Sequence, residues 1–183
     1  MKKILLAIAA LVIAVSAQAQ GTLTFNNKVG TDVVAKVTRS TDTGTISTVS
    51  GAGYTAQLVL VGGNGSLTAL TPTAIFRTGA GAGYVSQPTE EVVVGGVAAG
   101  SSGTFRMRAW NTAAGSYDAA STIAGNWSGQ SANFTVSLGG GLLPGSNLVG
   151  LQAFSVTLTP VPEPATIALL ALGGAALLIR RRK

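Results

Sequence analysis

Between residues 20 and 160, apolar and polar positions alternate in short runs cut by Gly, Asn and Pro. A period of two over four to eight residues marks a half-buried strand, and no long run carries the helical period. The first run is Thr22 to Asn26, with Leu23 and Phe25 on one face. In the second, Val33 to Arg39, Ala35 and Val37 oppose Lys36 and Thr38. Tyr54 to Val61 has Ala56, Leu58 and Leu60 on one face and Val59 and Val61 on the other, which predicts a central strand. Thr73 to Thr78, Glu91 to Val94 and Thr104 to Trp110 follow; in the last, Phe105, Met107 and Ala109 face the core. Ala132 to Leu138 and Leu151 to Leu158 close the series.

The intervening segments read as turns and loops. Asn26 to Gly30, Gly62 to Ser66, Gly79 to Gly83, Gly139 to Gly141 and Pro144-Gly145 carry turn chemistry. Ser40 to Gly53 fits either a long hairpin loop or a poor edge strand, and Asn111 to Gly129 reads as one long polar loop. Gly51-Ala52-Gly53-Tyr54 returns as Gly81-Ala82-Gly83-Tyr84, an echo that a Gly-rich chain yields by chance. About eight strands in one unit predict an all-β fold, a single jelly-roll-like β-sandwich.

The flanks have a different grammar. Met1 to Ala19 is laid out as a secretory signal peptide: Lys2 and Lys3, an apolar stretch from Ile4 to Val15, and Ala17-Gln18-Ala19 as a small-x-small cleavage site. Val161 to Lys183 has three parts. Pro162-Glu163-Pro164 should be extended and exposed. Ala165 to Ile179 has Thr166 as its one polar side chain and suits a helix in lipid, and Arg180, Arg181, Arg182 and Lys183 form a cytoplasmic stop. The apolar stretch would span about 22 Å, against about 30 Å of hydrocarbon. That deficit fits a temporary anchor, although an ordinary membrane anchor has the same outline.

This tail closely resembles the PEP-CTERM sorting signal of Gram-negative bacteria: a Pro-Glu-Pro motif, one transmembrane helix and an Arg-rich end, in a protein with a signal peptide. The resemblance implies signal peptidase and an exosortase as processing partners, transient residence of the C-terminal helix in the membrane, and a mature protein at the cell surface or released outside it. It also implies exopolysaccharide-producing surroundings. The ectodomain series is similar to a recurrent type among such proteins. It comprises Gly21-Thr22-Leu23-Thr24-Phe25-Asn26, Ala56-Gln57-Leu58, Phe76-Arg77-Thr78-Gly79, Arg108-Ala109-Trp110 and Gly150-Leu151-Gln152. No established activity comes with that type. The expected organisation is a signal peptide at 1–19, an all-β ectodomain at 20–160 and the sorting signal at 161–183.

Charge then changes meaning. The chain is formally +6, but residues 20–160 hold six cations against five anions, so the basicity belongs to the flanks. The ectodomain has no basic, aromatic-interleaved cluster, which removes the footprint of nucleic-acid binding. Cysteine and histidine are both absent, which excludes Cys/His zinc sites, His-based triads and thiol catalysis. Glu90 and Glu91 are adjacent and would face opposite ways in a strand, a poor glycosidase pair. Asp32, Asp42 and Asp118 are scattered in turn-like segments, without the spacing of a calcium loop. The expectation is a non-enzyme with no cofactor and no metal.

Binding is the open chemistry. Trp110, Tyr117 and Trp127 lie in or beside one predicted loop, near Arg108, Asn111 and Asn126. Exposed rings of this kind stack on sugars, which makes these three candidate glycan contacts; alternatively, Trp110 and Trp127 plug the end of the core. The function classes are a structural or adhesive surface or matrix protein and a carbohydrate-binding module for exopolysaccharide.

Overall fold

The computed structural model describes residues 20–40, 44 and 46–160. The expected signal peptide with Ala17 and Ala19, the turn residue Asp42, and the tail from Val161, with Pro162, Glu163, Pro164 and Arg180 to Lys183, lie outside the described residues.

The described chain is mostly β. Its strands are β1 (Gln20–Leu23), β2 (Lys28–Val29), β3 (Val33–Val34), β4 (Val37–Ser40), β5 (Ile46–Thr48), β6 (Tyr54–Val61) and β7 (Leu67–Ala69). They continue with β8 (Ala74–Ile75), β9 (Val92–Ala98), β10 (Ser102–Asn111), β11 (Trp127–Gln130), β12 (Phe134–Ser137) and β13 (Phe154–Leu158). The one α-helix among the described residues, α1, is Tyr117–Thr122.

A nine-stranded sheet has the order β5-β4-β13-β11-β10-β6-β7, with β12 also on β10 and β8 also on β6. Its pairs are antiparallel except β13 with β4, which run parallel. β1 pairs with β9, and β2 with β3, as two small antiparallel sheets. The expected central strand holds: β6 lies between β10 and β7, with Ala56, Leu58 and Val59 fully buried. Of the two readings of Ser40 to Gly53, an edge strand is what forms, since β5 ends the sheet.

Alternation sets the inner face. Phe105, Met107 and Ala109 of β10, Phe134 and Val136 of β12, and Val156 of β13 share one core with Leu23, Val92 and Val94 from the β1–β9 pair. The expected boundaries were less accurate than the faces. Val33 to Arg39 splits into β3 and β4 around Ala35 and Lys36, Thr73 to Thr78 shrinks to β8, and β7 adds a short strand. Eight expected strands thus become thirteen described ones.

Asn111 to Gly129 is not one loop. Thr112–Ala114 forms a 3-10 turn, α1 follows, and β11 begins at Trp127. The helix starts because the Ser116 hydroxyl accepts from the Ala119 N–H at 3.1 Å, with Asp118 in the first turn. Ala120, fully buried, seats α1 on the fold. The two Gly-Ala-Gly-Tyr copies differ in structure: Tyr54 opens β6, while Tyr84 follows a 3-10 turn at Gly79–Gly81.

Asn26 to Gly30 is more than a turn. Asn27 is fully buried and joins two distant segments. Its Nδ2 donates to the Ala35 carbonyl at 2.7 Å and to the Gly83 carbonyl at 3.1 Å, and its Oδ1 accepts from the Val85 N–H at 2.8 Å. Gly83 has a φ of +88°, and a Cβ there would lie 2.6 Å from the Lys36 Cγ. Glycine is required on both counts.

Candidate functional site: the outer face of the central strands

The face of β10 away from the core carries Thr104, Arg106, Arg108 and Trp110. The register places Val59 and Gln57 of β6 opposite Arg106 and Arg108, and Gln130 of β11 opposite Arg108. The Arg106 Nε donates to the Asn133 Oδ1 at 2.9 Å, and its Nη1 donates to the Gln130 Oε1 at 3.2 Å. Thus neutral amides, not carboxylates, hold this guanidinium.

Arg108 lies under α1. Its guanidinium carbon is 4.3 Å from the Tyr117 ring centroid, a cation–π contact, and its Nη1 is 3.7 Å from the Asp118 Oδ1. Its Nε is buried without a hydrogen-bond partner. The Tyr117 ring meets Trp110 edge-on, with centroids 6.3 Å apart and planes at 81°. Burial pushes the Tyr117 phenol above its ordinary value, against the pull of the Arg108 and Arg106 charges.

The three candidate rings do not form one platform. Ser128 lies opposite Trp110 on the outer face, so Trp127, one residue earlier, points inward. Trp127 packs on the core, and the Arg39 guanidinium sits 5.1 Å from its ring. Arg39 also donates from Nε to the Ser47 Oγ at 3.1 Å and from Nη1 to the Tyr54 hydroxyl at 3.2 Å. Trp110 is only 4% exposed, so it is a wall beneath Tyr117 and offers no open ring face. Asn111 and Asn126 bond each other at 2.9 Å, and the Asn111 Oδ1 accepts from the Trp127 N–H at 2.9 Å, so both brace the entry to β11.

The sequence reading passed over Arg106, Gln57, Gln130 and Asn133 as site residues. Their signal was present in the outward positions of β10, but β11 had been absorbed into the expected loop. Elsewhere the Glu91 Oε1 accepts from the Gly145 N–H at 2.8 Å, and Glu90 is exposed. Among the described residues no three His, Cys, Asp or Glu side chains converge as metal ligands, and no helix is long and apolar enough to cross a membrane.

Comparison with known proteins adds one finding. Residues 160–183 match the model of the PEP-CTERM protein-sorting motif. Neither the curated proteins nor the solved structures contain a match to the chain. The chain is therefore a PEP-CTERM motif-bearing protein, and its motif implies exosortase-dependent sorting to the cell surface.

Proposed function

We propose that residues 20–160 are the cargo of this signal: a β-sandwich with a structural or adhesive role on the cell surface or in the extracellular matrix. Signal peptidase would remove residues 1–19, and the exosortase would take off the tail. The single core shared by the β1–β9 pair and the large sheet supports the two-layer reading.

The observation that carries the cargo reading is the junction. Thr159 is tied into the fold: its N–H donates to the Asn126 carbonyl at 2.7 Å, its carbonyl accepts from the Gly125 N–H at 3.0 Å, and its hydroxyl donates to the Ala120 carbonyl at 2.7 Å. The matched motif starts at the next residue, 160. The described fold runs up to the matched motif, which supports reading the motif as an address attached to a finished domain. Deleting residues 161–183 should abolish surface delivery while the domain still folds. Normal surface display of the deletion variant, or surface protein whose mass still includes Arg180 to Lys183, would refute processing.

A second reading, carbohydrate binding, has a specific observation in its favour. Arg106, Arg108 and Tyr117 stand together on an outer sheet face, with Gln130 and Asn133 beside them. Such cation, amide and ring combinations suit sugar hydroxyls and acidic substituents.

A further inference from the structure

We propose that Arg106 and Arg108 form a carboxylate-reading site for a uronate-bearing polysaccharide laid across the outer face of β10. This rests on the carbohydrate-binding reading and narrows its ligand to an acidic glycan.

The argument begins with spacing. Two residues apart on one strand, the two guanidinium stems rise from the same face roughly 7 Å apart. Each is a planar fork able to hold a carboxylate by two parallel bonds. Neither fork is taken by a firm carboxylate partner among the described residues. Arg106 is held by amide oxygens of Asn133 and Gln130. Arg108 lies beneath Tyr117 with its side chain 15% exposed, and its Nη1 meets Asp118, 88% exposed, at 3.7 Å. The pair is open to water on the Asp118 side, where Asp118 yields readily to a better acceptor.

The fold also selects the kind of polymer. Both edges of β10 are occupied, by β6 on one side and by β11 and β12 on the other. An acidic peptide therefore has no free edge here on which to add as a strand. A polysaccharide needs none. It can lie on the side-chain surface, place one carboxylate on Arg106 and another on the edge of Arg108 that faces Asp118, and exchange hydroxyl hydrogen bonds with the amides of Gln130 and Asn133. Asp118 is then the competitor at the rim, and its removal should strengthen binding.

The test uses the full chain in a non-ionic detergent, with retention measured on polygalacturonate, dextran and poly-L-glutamate. Polygalacturonate should retain the wild type, and Arg106→Gln with Arg108→Gln should weaken this by about tenfold or more. Lys28→Gln with Arg77→Gln, the same two-charge change elsewhere, should leave retention as it was, while Asp118→Asn should raise it. An equal loss from that control, or equal retention on poly-L-glutamate, reduces the effect to net charge and overturns the proposal. Dextran retention that survives the double substitution keeps the carbohydrate reading and overturns the carboxylate site. Retention by neither polysaccharide overturns both. If the double variant does not fold, Asp118→Asn decides alone, because unchanged or weaker retention overturns the site.

Discussion

Asn27 is the side chain whose loss should be felt furthest from its own position. It is fully buried and makes three hydrogen bonds to backbone groups of two segments. Asn27→Ala strips the Val85 N–H and the Ala35 carbonyl of these partners. The Gly83 carbonyl still accepts from the Val37 N–H at 2.9 Å, so it counts for less. Two orphaned buried groups at about 1–3 kcal/mol each give about 2–6 kcal/mol of lost stability. With a urea slope of about 2 kcal/mol per molar, the midpoint should fall by about 1–3 M. Fluorescence of Trp110 and Trp127 reports the transition on residues 20–160. Asn27→Asp adds a sign test, because its carboxylate would face two carbonyl oxygens. Burial raises the pKa of such a group, so this variant should lose stability as pH rises above about 4 and regain some below it. Asn26→Ala is the control, since its side chain bonds the exposed Gln87 side chain at 3.0 Å and the part-buried Lys28 N–H at 3.0 Å and reaches no fully buried group. A loss below about 0.5 kcal/mol in Asn27→Ala would refute the hub.

Three further outcomes are expected. Gly129→Ala should cost about 1–3 kcal/mol or more, because a Cβ at Gly129 would collide with the Ser155 carbonyl of β13, which is backbone and cannot turn aside; a wild-type melting temperature would contradict this. Trp110→Ala should cost about 3–5 kcal/mol as a buried ring beneath Tyr117, read by urea titration, and a neutral result would return Trp110 to the surface. Tyr117 has a raised phenol, so the stability it contributes is present below pH 10.0 and lost as pH climbs through the raised value. Tyr117→Phe should therefore flatten the alkaline fall in melting temperature, and identical alkaline profiles would count against it.

Which residues face inward was legible wherever alternation was strict. Leu23 and Phe25, Met107 and Ala109, and Phe134 and Val136 are buried as their spacing predicts. The same spacing, continued two residues past Phe25, reaches Asn27. The turn chemistry of Asn26-Asn27 hid this, because an Asn suits a turn as well as a buried bridge. The helix was missed because six residues are too few to show a period, and its decisive feature is a single Ser116 cap. Missing α1 and β11 together placed Tyr117 and Trp127 in one loop with Trp110 beside it. One residue of strand register then decides that Trp110 and Trp127 lie on opposite faces, information that no local pattern holds. The sorting motif needed no tertiary information, since a linear signal is read from its own residues.

The topology also orders the domain from end to end. β10 runs about 30 Å from Ser102 to Asn111. Asn111 bonds Asn126, whose carbonyl accepts from the Thr159 N–H, so the junction with the sorting motif sits at the Asn111 end. Gln20 pairs with Ala98, just before the turn into Ser102, so β1 starts at the opposite end. Leu138 bonds Gly100 and Ser101 at that same end, and the loop beyond it exposes Leu142 fully and Leu143 largely. The junction with the sorting motif and the Leu142-Leu143 tip therefore lie at opposite ends of the domain, and the Arg106–Arg108 face runs along the flank between them.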